Sequence, residues 1–421
     1  MKNNCTDQFA AFIGIDWGDK KHDCCLKPSD SDATELSILP HTPEAIDSLA
    51  QSLSVRFCGK PIAVCLEQSK GPLIYALLKY DFFVLFPVNP QSLKNYRKAF
   101  SPANAKDDPT DAELQLDFLV KHRDKLRSWR PSDTRTRTLQ LLVENRRRLV
   151  NDKTRLTNRL TSLLKCYYPH VLQWLAEKDS LMFCDFLSSW PCLEKVQRAR
   201  KHTLENFFIQ HNSRRRKLID QRINDIRHAV PLTTDSAIIE PSILMTLCLV
   251  KQLRQLIESI KTFDNEIKVL FQQHDDSALF TSLPGAGSAL APRLLAAFGS
   301  DRQRYASADD VIKYAGIAPV TERSGQSTWV HWRHSCSKFL RQSFVEWTGA
   351  SIKFSFWAQV YYQMQRDKGK SHHTAIRALA FKWIRIIFRC WQNRTPYNES
   401  TYLLSLKKRN SPLLKHMAPT T

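Results

Sequence analysis

Four carboxylates between residues 16 and 111 stand where an acid needs a reason. Asp16 closes the apolar run Phe12-Ile13-Gly14-Ile15, Glu67 closes Ile62-Ala63-Val64-Cys65-Leu66, and Asp108 and Asp111 lie three apart in KDDPTDAELQ. A strand with successive apolar positions is buried on both faces, so an acid at its end either reaches water or holds a cation. In the third stretch Asp108 suits an N-cap, Pro109 the first helical position and Asp111 the first turn, and residues three apart share a helix face. If the two strands are neighbours and the helix start meets them, four carboxylates converge. Their repulsion calls for a hard divalent cation with oxygen ligands, and two Mg²⁺ ions held a few ångströms apart polarise a phosphodiester and activate the attacking oxygen. The blander account is capping for Asp108 and Asp111 and plain exposure for Asp16 and Glu67. Asp107 competes with Asp108, and Asp19, Asp23 and Glu113 are nearby spares.

The elements that must position these acids follow from periodicity. Runs at 9–15, 61–66 and 82–88 read as strands, and 42–54 and 69–79 as intervening helices. The polar turn Gly18-Asp19-Lys20 followed by 22–26 reads as a hairpin returning from the first strand. This predicts an α/β domain with a mixed sheet over 1–128. Between about 131 and 274 leucines recur at helical spacing. LQLLVENRRRLVNDKTRLTNRLTSLLK is one long amphipathic helix, and KQLRQLIESIKTFDNEIKVLFQQH a second that pairs with it antiparallel. The expectation for 129–276 is a helical coiled-coil region for assembly and nucleic-acid contacts. Its basic run Arg214-Arg215-Arg216-Lys217 is either a solvated helix face or a phosphate contact. The region 277–421 is expected to be mostly helical. It opens on SLPGAGSALAPRLLAAFG, a helix-hairpin-helix-like element whose turn amides can face a phosphate, or glycine-assisted helix packing. Trp329, Trp332, Trp347, Trp357, Trp383 and Trp391 sit among arginines and lysines, as core residues or as platforms for bases.

Composition narrows the partner. The 421 residues carry 62 Lys+Arg against 41 Asp+Glu, a formal charge of +21, and the pI of about 9.6 favours a polyanion, nucleic acid first. A 43% hydrophobic content supports more than one core and excludes a disordered tail protein. No uninterrupted apolar run reaches the roughly 18 residues of a membrane span, and the N-terminus lacks the apolar region of a signal peptide. A cytoplasmic protein with no membrane partner is expected. The 11 cysteines are scattered without a CxxC pair, so neither a zinc site nor a disulfide framework is indicated.

IGIDWGDKKH, IAVCLE and KDDPTDA, followed in order by LPGAGSALAPRLLAAFG, YAGIAPVTERSGQS and GKSHHTAIRALAFKWIRIIF, resemble the motif blocks of the DEDD-type insertion-sequence transposases. This is the IS one-ten group, regarded as bridge-RNA-guided recombinases. Family members usually carry Lys-Thr-Asp before the third acid, whereas this chain has Lys106-Asp107-Asp108; aligning Lys106 puts Asp108 in the metal-binding place. The resemblance implies an RNase H-like, RuvC-type first domain in which Asp16, Glu67, Asp108 and Asp111 bind Mg²⁺. It also implies that Ser324 attacks the scissile phosphate and leaves a phosphoserine link; from the residues alone, Ser-Gly in a polar loop is a turn. Ser327, Ser335 and Ser337 are alternatives, and Arg323, His331, Arg333 and His334 are available to neutralise phosphate. Activation of the serine would come from a neighbouring base, or from the acidic domain if the two meet across the cleavage site in one chain or between subunits. The implied partners are double-stranded donor and target DNA, a structured noncoding guide RNA, and further copies of the chain in a dimer or tetramer. Two other expectations compete: a RuvC-like structure-selective nuclease using water, and a non-catalytic nucleic-acid-binding protein.

Overall fold

The apolar runs become strands, and turn residues separate them. In the computed structural model the first elements are β1 (Ala11–Asp16), β2 (Lys21–Pro28), β3 (Glu35–Pro40), α1 (Pro43–Arg56), β4 (Ile62–Leu66), α2 (Pro72–Leu77), β5 (Phe83–Pro87), α3 (Pro90–Phe100) and α4 (Asp108–His122). The structure describes residues 9–67, 70–100, 108–129, 131–213 and 215–416, with the side chains of 100, 108, 109 and 415 outside that description. The chain falls into two compact units, 1–131 and 132–421.

The first unit is a five-stranded mixed sheet in the order β3-β2-β1-β4-β5. The β1–β2 and β2–β3 pairs are antiparallel, and β1, β4 and β5 run parallel. All five residues of β4 are buried, as its unbroken apolar run requires. Ile13, Ile15, Val64 and Leu66 share a core with Ile46, Ala50 and Leu53 of α1 and Leu73, Ile74 and Leu77 of α2. Side chains alternate along a strand, so Gly14, Cys25 and Cys65 point the other way, toward α3 and α4. Thr42 caps α1 by accepting from the Ala45 amide at 3.2 Å, and Pro43 follows as its first residue. The helix expected over 69–79 is shorter: Gly71 (φ 144°) precedes Pro72, which starts it, and residue 69 lies outside the described residues. Sequence periodicity passes over β3 and α3. On β3 only Leu39 is buried while Leu36 and Ile38 face out, and the polar stretch of α3 buries Leu93 as its anchor.

The second unit is built on a helix pair. α5 (Thr134–Tyr167) leads through five shorter helices, α6–α10, between Val171 and His228, to α11 (Ser236–Gln272). Contacts at Arg135 with Gln273 O (2.8 Å), Arg146 with Asp264, and Tyr167 with Thr246 (2.8 Å) make α5 and α11 antiparallel, as their leucine spacing predicts. α11 is long and apolar enough by composition to cross a membrane, but Leu249, Val250 and Leu253 go into a protein core and Arg254 pairs with Asp185. At one end of the pair Leu160 and Leu164 join Phe183, Phe186 and Phe208 of α6–α10. At the other end Leu139, Val143, Ile267 and Phe271 share a core with the C-terminal elements: α12 (Ser277–Thr281), α13 (Gly287–Phe298), α14 (Ala308–Tyr314), β6 (Val320–Ser324), β7 (Ser327–His331), α15 (Lys338–Ser351), α16 (Phe356–Asp367), α17 (His372–Asn393) and α18 (Glu399–Lys408). Trp347, Trp357, Trp383 and Trp391 are fully buried there, whereas Trp329 and Trp332 are 50% and 39% exposed.

The glycine turn between α12 and α13 is divided in its use. A Cβ on Gly285 (φ +71°) would lie 2.9 Å from Ala350 O, so this glycine serves close packing against α15, while Gly287 (φ +53°) faces open space. Of the basic run, Arg215, Arg216 and Lys217 are exposed, and Arg214 lies outside the described residues.

Candidate active site

Register puts two acids side by side. β1 and β4 are parallel with Ile15 opposite Leu66, so Asp16 and Glu67, the next residues along, leave adjacent strands at one carboxyl edge of the sheet. The chain order reverses between these strands, the position at which open α/β sheets bind ligands. Asp16 shares the face of Gly14, and Glu67 follows Cys65 by two; both belong to the side covered by α3 and α4.

Gly14 admits α4 to this edge. A Cβ there would fall 2.1 Å from Ala112 O and 2.5 Å from Leu116 N, so only glycine lets the helix lie against the strand. Leu119 packs with Phe9, before the start of β1, while Gln115 reaches Asp16 at its end. α4 therefore begins where β1 finishes. The Gln115 Nε2 lies 3.4 Å from Asp16 Oδ1. Turned over, the same amide donates to Ile15 O at 2.8 Å and Cys65 O at 3.2 Å. The second orientation satisfies two backbone carbonyls with shorter bonds and is the better assignment. In either, Gln115 ties the ends of β1 and β4 together beside Asp16.

Two further acids join the edge. Asp111, 5% exposed, pairs with Arg97 of α3, whose Nε is buried without a partner. Asp23, 8% exposed, stands opposite Asp16 in the β1–β2 register, and directly opposed residues share a face. Sequence reasoning holds Asp23 only as a spare; the signal for it is the hairpin count, since a turn centred on residues 19–20 pairs 16 with 23. It misses Arg97 and Gln115 entirely. Asp108 begins α4 at this same edge, while its side chain and the whole of Asp107 lie outside the described residues. Asp16, Asp23, Glu67 and Asp111 are thus gathered at one end of the sheet. They are not drawn into a cage: among the described residues no group of three or more His, Cys, Asp or Glu is close enough to hold a metal ion.

The donor set still fits a hard divalent cation. The groups are carboxylate and amide oxygens, and the nearby sulfurs are poor competitors, because burial, with Glu67 adding to it, pushes the Cys65 thiol up to about 12. Arg97 supplies the positive charge that a buried Asp111 requires.

The chain leaves Asp16 through a braced turn. Trp17 stacks on His22 at 4.8 Å and meets His41 edge-on at 5.0 Å. The Gly18 amide donates to His22 Nδ1 at 3.2 Å, which leaves Nε2 to donate to His41 Nδ1 at 3.0 Å. Burial, and then the neighbouring His41, hold His22 below the ordinary histidine range. A Cβ on Gly18 would sit 2.2 Å from Lys21 O, so glycine is needed for the tight return.

Ser324 lies in the second unit, at the end of β6. Its register partner is Ser327, and Gly325 (φ +57°) takes the first central position of the two-residue turn between them. The residues of this hairpin tip are exposed, and among the described residues no side chain hydrogen-bonds Ser324 Oγ. Glu322 Oε2 lies 3.4 Å from His331 Nε2 on the flanking strands. Arg333 is tied to Ala318 O at 3.2 Å, so it braces the hairpin base.

Two family models match the chain: one described as "Transposase", of the DEDD type, over residues 13–169, and one described as "Transposase IS116/IS110/IS902 family" over 277–363. Relatives align over nearly the full length. The candidate transposase of the IS117 mini-circle from Streptomyces coelicolor is 27% identical over 404 residues, covering 93% of this chain and 96% of the relative. The uncharacterized 43.6 kDa protein of insertion element IS110, from the same organism, is 25% identical over 401 residues, with 93% and 96% covered. The uncharacterized 44.8 kDa protein of insertion element IS116, from Streptomyces clavuligerus, is 27% identical over 389 residues, covering 90% of this chain and 93% of the relative.

Proposed function

The chain belongs to the IS110 family of insertion-sequence transposases, and from that premise we propose that it cuts and rejoins DNA through Ser324, with the acidic edge of the sheet binding Mg²⁺. The observation that carries the acidic half is the register of β1 and β4, which sets Asp16 beside Glu67 where α4 begins with Asp108 and Asp111. The strand order, with three antiparallel strands followed by two parallel ones, supports an RNase H-like reading of the first domain. Asp16, Glu67, Asp108 and Asp111 would hold the ions through their carboxylate oxygens, and Arg97 neutralises Asp111 beside them. Bound there, Mg²⁺ supplies polarisation of the scissile phosphodiester.

The protein's own residues carry the transfer. Ser324 Oγ forms a bond to phosphorus as the bond to one bridging sugar oxygen breaks; the hydroxyl proton passes to a base and the departing oxygen takes up a proton. The phosphoserine keeps the phosphodiester's bond energy, so attack by the hydroxyl of another strand end regenerates Ser324 and joins the strands. An exposed turn suits this role, because a phosphate in a strand must reach the Oγ. The division of labour follows the regions 1–128 for the acids, 129–276 for assembly and nucleic-acid contacts, and 277–421 for the nucleophile. Donor and target are double-stranded DNA, chosen by base pairing with a structured noncoding RNA. The charge of +21 and the exposed Arg215, Arg216 and Lys217 support electrostatic, salt-sensitive contacts to both. Paired cleavages call for a dimer or tetramer, working in the cytoplasm.

The absence of a side-chain partner on Ser324 among the described residues favours one other reading, hydrolysis by water at the acidic edge. One experiment separates the two. Protein, its flanking RNA, and donor and target DNA are incubated with Mg²⁺ and examined for covalent protein–DNA adducts. Adducts are expected in the wild type and absent from Ser324→Ala, Asp16→Asn and Glu67→Gln. Cleavage without adducts that survives Ser324→Ala establishes the nuclease instead.

A further inference from the structure

α17, α18 and the base of the β6–β7 hairpin enclose a groove of about 1410 Å³, larger than the roughly 300–1,000 Å³ of a pocket for one small molecule. Among the described residues its lining contains Arg377, Lys382, Arg385, Arg389 and Arg409 and no Asp or Glu. Three of the cations are held on aromatic faces. Arg377 lies 4.0 Å over Trp332, Lys382 4.7 Å over Tyr361 and Arg385 5.8 Å over Phe381. Of the five, Arg385 has an acid near, Asp309 at 3.8 Å, which is not part of the lining. Burial first, then Arg409 and Arg385, pull Lys382 below the ordinary amine range, so the gathered charges repel one another. An anion relieves that repulsion.

The shape of the anion follows from the spacing. Arg377, Phe381, Arg385 and Arg389 recur every four residues along α17, so the row from Arg377 to Arg389 extends about 18 Å, close to five stacked nucleotides at about 3.4 Å each. Between the charges the groove is floored by Ile317, Pro319, Ala378 and Ile386. A duplex keeps its base faces stacked on one another and offers this floor nothing. An unpaired strand presents a phosphate row and open base faces together. The groove also adjoins Ser324: β7 brings Val330 and His331 into its lining, four residues from the hairpin tip, or about 13 Å along the strand. We infer that this groove holds the unpaired DNA strand that flanks the phosphate cut at Ser324. The choice of DNA over RNA rests on the serine reading above; the choice of an unpaired strand rests on the groove itself.

The test uses the full chain in EDTA, with fluorescence anisotropy of a labelled 12-nucleotide single-stranded DNA, its duplex, and single-stranded RNA of the same sequence. Arg389 and Arg409 are exposed, so Arg389→Ala with Arg409→Ala is expected to keep the wild-type melting temperature. It should weaken single-stranded DNA binding at least tenfold, leave duplex binding within threefold, and reduce the salt slope by roughly 1.4 for two lost phosphate contacts. Arg389→Lys restores most of its share. The two single substitutions are measured alongside, so the inference stays open to refutation if the double variant fails to fold. Ser324→Ala is expected to keep this binding while losing adducts, which separates failure of the groove from failure of the nucleophile. Unchanged single-strand affinity, equal loss on duplex, or a larger loss on RNA overturns the inference.

Discussion

Gly14→Ala is the sharpest perturbation of the acidic edge, because the added atom meets backbone. The new Cβ would lie 2.1 Å from Ala112 O, where ordinary contact begins at 3.4 Å; 3.4 Å less 2.1 Å asks α4 to retreat by about 1.3 Å, and no rotamer change relieves it. Overpacking of this kind costs about 1–3 kcal/mol, and the upper end applies when both clashing atoms are backbone. For a unit of this size about 3 kcal/mol lowers the melting temperature by roughly 10 °C. The chemical effect is larger. α4 carries Asp108, Asp111 and Gln115, and a displacement of about 1 Å at a reacting group costs on the order of 10²-fold in rate. The assay is adduct yield with Mg²⁺ at a temperature where circular dichroism shows the variant fully folded. Gly349→Ala is the control: its Cβ would meet only Ile376 Cδ1, at 4.0 Å, within a helix, so the melting temperature should hold or rise. A Gly14→Ala protein with wild-type melting and wild-type adduct yield would falsify the claim that this glycine sets the helix on the strand.

Arg97→Met removes the counter-charge of the buried Asp111, so the variant is expected to melt lower in EDTA and to gain more from added Mg²⁺ than the wild type does; an equal Mg²⁺ response argues against ion binding at Asp111. Glu346→Ala strips the 2.5 Å partner from Arg293, which is 7% exposed, and should cost about 2 kcal/mol in denaturant unfolding, less than a fully buried pair because Glu346 is partly in solvent. His22 is held below the ordinary histidine value by burial and by His41. The unfolded chain therefore binds the proton more readily, and the stability this contributes is complete above about pH 6.5 and declines as pH falls toward the folded value. His22→Asn should flatten the loss of melting temperature between about pH 6.5 and 5, part of which remains because burial lowers His170 as well; an unaltered pH profile shows that His22 takes up its proton alike in the folded and unfolded chain.

What could be read from the chain alone was local. An apolar run ending in an acid marks β1 and β4, Asp108-Pro109 marks the start of α4, and leucine spacing marks α5 and α11 together with their antiparallel pairing, because each depends on residues within a few positions or on one repeating period. The tryptophans were legible only as core or as platforms for bases; the fold buries Trp347, Trp357, Trp383 and Trp391 and leaves Trp329 and Trp332 exposed. The edge strand β3 was not, since its apolar residues Leu36 and Ile38 face solvent and carry no burial pattern. Only the folded protein decides that Asp23 stands beside Asp16, that Arg97 reaches Asp111, and that four cations of α17 and Arg409 at the end of α18 line one groove with no acid among its described lining residues. Those groupings join residues 7 to 32 positions apart, and strand register and helix packing, rather than any local preference, bring them together.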